Sequence, residues 1–464
     1  MRVFDKTLVV DGITPVGAYA ALRNDAGLGS FLLESVVPGE RWGRYSILGV
    51  RPRREVVVRA GSSANPFRAL ALDDIRESAE QSIAQKLATA SFGVVAYDCV
   101  HGAFPVAGSG RPGEPSVRLL DEPTVIVFDN LEHSATIAST DPAEVERAEA
   151  ALAGVVGPSP LPAPDPGALP ADVTVDTSDS AYAANVERVK EYILAGDAFQ
   201  VVPARTFSVP QDEADAFDVY RALRVLSPAP YMYLLEFPAH DDLPELCLAG
   251  ASPETLVRVE ARTVTVRPIA GTRRRGRSPE EDQALAHEML EDPKEIAEHV
   301  MLIDLCRNDV GKVSRAGSVR LVKRMDVERF SHVMHIVSEV AGELSPGVGP
   351  AQVLEATFPA GTLTGAPKVR AMQIIRELEG RPRGLYGGAV GYVTRSGELD
   401  FAIAIRTVVL RQGRFEVSAG AGVVADSVPE LEAKETRNKA RAALSAIHAA
   451  KQAAVARGSE RRAR

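Results

Sequence analysis

The sequence predicts an α+β protein built on antiparallel or mixed sheets, and three observations carry that prediction. Short β-rich runs recur at hairpin spacing, helical stretches fall among them without a βαβ repeat, and the composition is that of an ordinary globular chain. Of the 464 residues, 45% are hydrophobic and 25% charged, which excludes a disordered or collagen-like chain. The length is roughly three times that of an average domain, so several units or one unusually large one are expected.

Upstream of residue 157, segments 55–58 and 124–128 read as strands and 142–152 as a helix. Residues 157–170, GPSPLPAPDPGALP, place six prolines in fourteen positions, an extended connector with few backbone donors. The expected division is an N-terminal unit over 1–156, a Pro-rich linker over 157–172, a second unit over 173–450 and a solvated basic tail over 451–464. Within the second unit, 181–194 has helical periodicity. Segments 231–237, 255–259, 263–266, 389–394, 403–410 and 414–418 read as strands. Two helix starts are well signed. Asp292-Pro293-Lys294-Glu295 supplies a cap, a first-turn proline and an acid, and Ser427-Val428-Pro429-Glu430 has the form of a capping box before a run to about His448.

Charge and cysteine content narrow the function classes. With 62 acidic and 53 basic residues the net charge is -9, which argues against binding to nucleic acid or anionic lipid. Cys99, Cys247 and Cys306 form neither a disulfide framework nor a metal knuckle, so a reducing compartment is expected. No basic-then-apolar leader and no run of about 18 apolar residues is present, and the cytoplasm is the expected location.

Several residues could carry chemistry. Glu295 and Glu298 are three apart on one helix, and Glu432 and Glu435 repeat that spacing on the other, so each pair presents its carboxylates from one face. Hard oxygen donors of this kind suit Mg²⁺, although acidic pairs also populate solvated helix faces. The segment 418–425, SAGAGVVA, could form an amide nest for a carboxylate or phosphate, or simply turn the chain. Its match to a GxGxxA dinucleotide pattern fails on context, because the following helix leads to the C-terminal tail and not to a parallel strand. Residues 361–368, GTLTGAPK, lack the order of a phosphate loop. His335 reads as a general base or a hydrogen-bonded core histidine. Arg406, in an apolar strand, needs an anionic partner: a substrate carboxylate or a structural ion pair. The run Arg273-Arg274-Arg275 has no interleaved aromatics and reads as a solvated loop.

In order along the chain, the blocks RPIAGTR (267–273), DPKEIAEHVMLIDLCRND (292–309), SHVMHIVS (331–338), ATFPAGTLTGAPKVRAM (356–372), GLYGGAVGY (384–392), FAIAIRTVV (401–409) and SAGAGVVADSVPE with ETRNKAR resemble the chorismate-utilising enzymes. Among them, the resemblance is greatest to the component I subunits of anthranilate synthases. FLLES (31–35) and APYMY (229–233) extend it over nearly the whole chain.

The resemblance implies an α/β sandwich of two large antiparallel sheets with outer helices, its N-terminal part intertwined with the catalytic part. It also implies that Glu298 and Glu435 bind Mg²⁺ directly and Glu295 and Glu432 through water. Gly271, Thr272 and Lys439 would contact the ring carboxylate of chorismate. Tyr386, Arg406 and the amides of Gly420, Ala421 and Gly422 would hold the enolpyruvyl carboxylate. Glu254 would be the general acid for the C4 hydroxyl, with Thr362 and His335 around the ring and His335 serving pyruvate elimination.

Two positions separate the subfamilies by chemistry. Gln200 stands where water-adding isochorismate and salicylate synthases carry a lysine base, and a neutral amide cannot activate water. Ala270 stands where aminodeoxychorismate synthases carry a nucleophilic lysine. Amination at C2 by ammonia is the expected chemistry. A glutamine amidotransferase would be a separate subunit, in a heterotetramer of two large and two small chains, because no cysteine here sits in the required glycine-rich elbow. Glu34, Ser35, Pro230, Tyr231 and Met232 resemble the tryptophan feedback site, although Ser227-Pro228-Ala229-Pro230 departs from the usual NPSPYM. A non-catalytic tryptophan-binding regulator is the rival from another class, and it predicts gaps among the metal and carboxylate ligands.

Overall fold

The computed structural model describes residues 2–35, 41–60, 65–67, 81–330 and 333–463; Ser331 and His332 of the 331–338 block, and Arg464 of the expected tail, lie outside them. Two large sheets stack face to face, and every strand pair among the described residues is antiparallel. The first sheet runs in the order Phe4–Val9, Ser134–Ser139, Thr124–Asp129, Tyr45–Val50, Ser30–Glu34, Tyr231–Phe237, Leu246–Ser252, Thr407–Arg411, Arg414–Gly420, Ala204–Pro210 and Thr174–Val175. The second runs Ile269–Arg274, Val333–Glu343, Thr263–Val266, Thr255–Glu260, Leu399–Ile403, Ala389–Val393, Ser91–Val95, Pro115–Asp121 and Arg54–Arg59, with Arg320–Arg329 also pairing Val333–Glu343.

Alternation of apolar side chains explains the stacking. Phe31, Leu120, Tyr233, Leu248 and Val390 come from both sheets and bury one shared layer, where the Phe31 and Phe92 rings stack at 4.1 Å. On the outer face of the first sheet lie the helices Pro15–Leu22, Pro142–Ala153, Ala216–Leu226 and Pro429–Ala463. The helices Pro293–Gly311, Pro350–Thr357 and Lys368–Glu379 contribute Ile303, Leu354 and Met372 to the core of the second.

The Pro-rich segment does not divide the chain into two bodies. Strands from both sides of it enter both sheets, so the linear units 1–156 and 173–450 share one core. The expected tail also differs. Residues 451–463 continue the helix Pro429–Ala463, bury Ala453 and Ala454, and hold Lys451 against Asp172 and Asp212 at 2.8 and 2.7 Å. Alanines at helical spacing supply an apolar stripe that the basic composition concealed. The expected strand 403–410 is two strands in different sheets, Leu399–Ile403 and Thr407–Arg411. The chain crosses between them at Arg406, whose φ of +51° lies in the left-handed region and ends any ladder.

Candidate active site

Local capping sets the first wall of the site. Asp292 Oδ1 accepts from the amides of Lys294 and Glu295 at 3.0 and 3.4 Å, so the helix Pro293–Gly311 begins where the sequence indicates, with a cap worth about 1 kcal/mol. Glu295 then lies in the first turn and Glu298 one turn on. Glu298 Oε1 accepts from Gln200 Nε2 at 2.8 Å, while Gln200 Oε1 is buried with no hydrogen-bond partner among the described residues. Gly422 permits this approach, since a Cβ there would stand 2.8 Å from Gln200 Nε2. The second helix starts at Pro429. Ser427 does not complete the expected box with Glu430; its Oγ accepts from the Val424 amide at 3.1 Å, and its hydroxyl serves the Glu432 carboxylate.

The two carboxylate pairs face a common region. Burial is the main cause that raises the Glu298 and Glu432 carboxyls above their ordinary range. Glu295 adds repulsion at Glu298, Glu435 adds it at Glu432, and Lys294 and Lys439 act on both. Glu295 is held by Arg273 at 2.9 Å and Glu435 by Lys439 at 2.7 Å. Among the described residues no group of three or more His, Cys, Asp or Glu is arranged to hold a metal ion by itself. The donor set suits Mg²⁺, which takes one or two carboxylates directly and fills its other positions with water and substrate oxygens.

Arg273, Arg274 and Arg275 are not a solvated loop. Arg273 pairs with Glu288, Asp292 and Glu295, Arg274 with Glu281 and Arg275 with Asp282. The acid-rich helix Pro279–Glu291 and the Asp292 cap give the strand end its partners, and these pairs fix the carboxylate helix against the second sheet.

Glu254 lies beneath this wall, 9% exposed, with Oε1 accepting from Thr362 Oγ1 at 2.7 Å. Burial pushes its carboxyl up to about 7, opposed by the Thr362 hydroxyl and the charges of Lys439 and Arg406. A carboxylic acid that is half protonated near neutral pH suits proton donation. Arg406 forms no ion pair among the described residues; its field interactions are with Tyr386, Glu435 and Glu254, and burial lowers its pKa. The structural ion pair, one of its two readings, is not formed among the described residues.

His335, on Val333–Glu343, approaches the Gly271 carbonyl with Nδ1 at 2.8 Å and Thr272 Oγ1 at 3.1 Å. With the Nδ1 proton assigned to that carbonyl, Nε2 keeps its lone pair. Burial holds the ring's pKa below its ordinary value, with Arg406 adding to the effect. Gly271 adopts φ +66° where the ladder to Val333–Glu343 shifts register between Ala270 and Arg273, which turns its carbonyl to the histidine.

Two of the three amides expected to form a clamp, those of Gly420 and Ala421, already have partners. The Gly420 amide serves the Tyr386 hydroxyl, and the Ala421 amide is directed at Tyr182 Oη and the Pro203 carbonyl, at 3.2 and 3.3 Å. Lys439 Nζ donates to the Gly420 carbonyl at 3.0 Å, placing its charge beside Glu435. Burial pushes the Tyr386 hydroxyl up to about 12, so it is a donor at neutral pH.

The Glu34 group sits elsewhere. Glu34 and Met232 are cross-strand partners facing the outer helices, where Tyr220 Oη donates to Glu34 Oε2 at 2.5 Å and Arg224 Nε lies 2.8 Å from the same oxygen. Tyr231 points to the opposite face and meets Thr255 and Asp400 at 3.0 and 2.9 Å. Ser35 Oγ is buried with no hydrogen-bond partner among the described residues, and Pro230 is half-buried at the start of the strand. Strand alternation therefore divides the expected tryptophan residues between two faces.

Two cavities accompany the site. One of about 390 Å³ opens against Glu254 and Thr362, walled by Leu302, Cys306 and Ile403. Another, about 950 Å³, lies between the sheets behind Tyr386 and is lined by Asp98, Arg111, Glu114 and Glu416. Sequence reasoning took Arg273 for part of a solvated loop and missed Tyr182 and Arg383, the last a buried guanidinium behind the site. Its only sequence signal is an arginine within the apolar, glycine-rich stretch that carries Tyr386.

Comparison with known proteins now decides the family. The model of the chorismate binding enzymes matches residues 30–445. The chain belongs to this chorismate-binding family. Family relatives named anthranilate synthase component 1 include those of Pseudomonas putida, 44% identical over 96% of this chain and 94% of the relative, and Thermus thermophilus, 44% identical over 97% and 98%. The crystal structure of anthranilate synthase component I from Streptococcus pneumoniae superposes with a TM-score of 0.75 at 33% identity, covering 94% of this chain and 98% of that one. The two-sheet sandwich with outer helices is thus the fold of this family.

Proposed function

We infer that this chain is an anthranilate synthase component I, converting chorismate and ammonia to anthranilate and pyruvate as the first committed step of tryptophan biosynthesis. The observation that carries the reading is Glu254: a buried carboxyl near pH 7, hydrogen-bonded by Thr362 and set between the unpaired Arg406 and the Glu298 and Glu435 helices. Tyr386, Arg406 and the Gly422 amide receive the enolpyruvyl carboxylate, while Gly271, Thr272 and Lys439 receive the ring carboxylate. Two anchored carboxylates orient the ring for attack. Thr362 occupies Oε1 of Glu254, so Oε2 carries the proton given to the C4 hydroxyl, which departs as water while ammonia bonds to C2. Gln200 cannot accept a proton at this pH. Its Nε2 is committed to Glu298, so its free Oε1 accepts an N–H of ammonia and directs the nitrogen lone pair to C2. In the second stage neutral His335 takes the C2 proton at Nε2, the C3–O bond breaks as the ring becomes aromatic, and the departing enolate gains a proton at its methylene carbon to give pyruvate.

Mg²⁺ is the metal this reading assigns to Glu298 and Glu435, with Glu295 and Glu432 behind water. When bound, it neutralises the ring carboxylate and the crowded glutamates. The free thiols of Cys99 and Cys247 are buried and that of Cys306 half-buried, and none lies in an amidotransferase elbow, so ammonia comes from a separate glutamine amidotransferase subunit in a heterotetramer. No helix among the described residues is long and apolar enough to cross a membrane, and the cytoplasm is the proposed location. Tryptophan is the feedback inhibitor assigned to Ser35, Pro230 and Tyr231, with Glu34 and Met232 on the outer face. Gln200 and Ala270 weigh against the isochorismate, salicylate and aminodeoxychorismate alternatives.

Purified chain given chorismate, ammonium and Mg²⁺ tests the reading, with product fluorescence and mass recorded. Anthranilate from ammonium but not from glutamine is expected. No product, a hydroxylated product, or turnover with glutamine alone contradicts it.

A further inference from the structure

We propose that Arg383, which directs none of its hydrogen bonds at a group assigned to chorismate, is the positioning residue that holds three functional segments in register, a role that rests on the reading above. The residue is 3% exposed. Nη1 donates to the Leu363 carbonyl at 2.8 Å and Nη2 to the Val202 carbonyl at 2.6 Å. Glu379 neutralises the charge at 2.6 Å and uses the same Oε1 to accept the Ala204 amide at 2.9 Å. The rings of Tyr97 and Tyr386 lie 4.8 and 5.6 Å from its central carbon. Asp98 accepts the amides of Arg383 and Gly384 at 3.0 and 2.9 Å, which secures the loop from the other side.

Each contact lies next to a working group. Leu363 follows Thr362, the donor to Glu254. Val202 lies two residues past Gln200, and Tyr386 is on Arg383's own loop. A guanidinium presents several donors in a rigid plane, so one buried residue can fix three chain segments. A lysine has three donors on a single nitrogen and lacks the fixed spread by which Nη1 and Nη2 reach two separate carbonyls. The partners that tie it to the other two segments are main-chain carbonyls, which bear no side-chain signature, and Glu379 alone is a side-chain partner at helical spacing.

Loss of the Leu363 contact lets the short helix Gly361–Thr364 drift and lengthens the Thr362 bond to Glu254. That bond lowers the Glu254 pKa, so weakening it raises the pKa and moves the alkaline fall of activity to higher pH. A residue that only stabilises the fold would reduce the amount of active protein without moving that limb.

The test compares wild type, Arg383→Lys, Glu379→Gln, Thr362→Val and Arg118→Lys. Arg118 is the control: it is 1% exposed and paired with Glu55, but bonds to none of these segments. The pH profile of kcat/KM for chorismate is measured at constant free ammonia, and hydrogen exchange is followed without turnover. Arg383→Lys is expected to lower kcat about 10²-fold. Its alkaline limb should rise by roughly half a pH unit, in the direction of Thr362→Val. Exchange should quicken together at residues 200–204, 361–364 and 384–387. Arg118→Lys should leave the limb in place. If Arg383→Lys does not fold, Glu379→Gln should move the limb and the exchange pattern in the same sense. An unmoved limb with uniform loosening, or equal effects at Arg118, overturns the proposal. Should the wild type make no anthranilate, the functional reading fails, and exchange in the three segments still decides the role of Arg383.

Discussion

Glu254 and Glu34 are both buried glutamates that accept a hydrogen bond from a hydroxyl, yet their surroundings commit them to different work. Tyr220 and the Arg224 guanidinium both engage Glu34, an ion pair that ties Ser30–Glu34 to the helix Ala216–Leu226. Among the described residues the Glu254 carboxyl has only the Thr362 bond, with Arg406 and Lys439 acting through space, and burial raises it to about 7. A buried carboxylate with a bonded guanidinium is structural; one left with a single neutral donor can exchange a proton.

Substitutions sharpen that contrast. Glu254→Gln preserves shape and hydrogen bonding but removes the acid, and should lower kcat about 10³-fold with the melting temperature little changed. Steady-state rates beside a thermal melt check this. Glu298→Gln or Glu435→Gln should lower turnover by about 10²-fold or more and raise the Mg²⁺ needed, because a sparsely ligated cation loses an anionic donor. Near-normal activity at ordinary magnesium would remove the ligand assignment. Glu34→Gln breaks the opposite kind of site: about 1–3 kcal/mol of stability should go, measured by denaturant unfolding, while uninhibited kcat stays within about threefold. The smallest effect is expected for Ser35→Phe. It should weaken tryptophan inhibition, read by titration calorimetry with and without a non-reactive chorismate analogue, and leave the uninhibited rate unchanged.

Local signals carried far in this chain. Pro293 and Asp292 mark the helix that bears Glu295 and Glu298, and alternation locates Tyr231–Phe237 and Thr263–Val266 at their observed bounds. The run 403–410 misled for a physical reason. Its apolar residues are buried in two different sheets, and only the left-handed backbone of Arg406 marks the crossing. Residues Glu298 and His335 were legible as candidates because their chemistry is in their side chains, whereas Glu254 entered only through the family resemblance. The Thr362 bond to Glu254 spans 108 positions, and Arg383 works through main-chain carbonyls; neither leaves a pattern in sequence. The amides of Gly420 and Ala421 looked available because their partners, Tyr386 and Tyr182, come from distant segments.

The central claim is that Glu254 is the acid. Its most direct test is the pH dependence of kcat/KM for chorismate at constant free ammonia, in wild type and Glu254→Gln. Since the working form is protonated, the wild-type rate should fall tenfold per pH unit once pH passes above about 7, and the variant's residual rate should lack that fall. A wild-type profile flat to about pH 9, or the same falling limb retained in Glu254→Gln, would contradict the assignment.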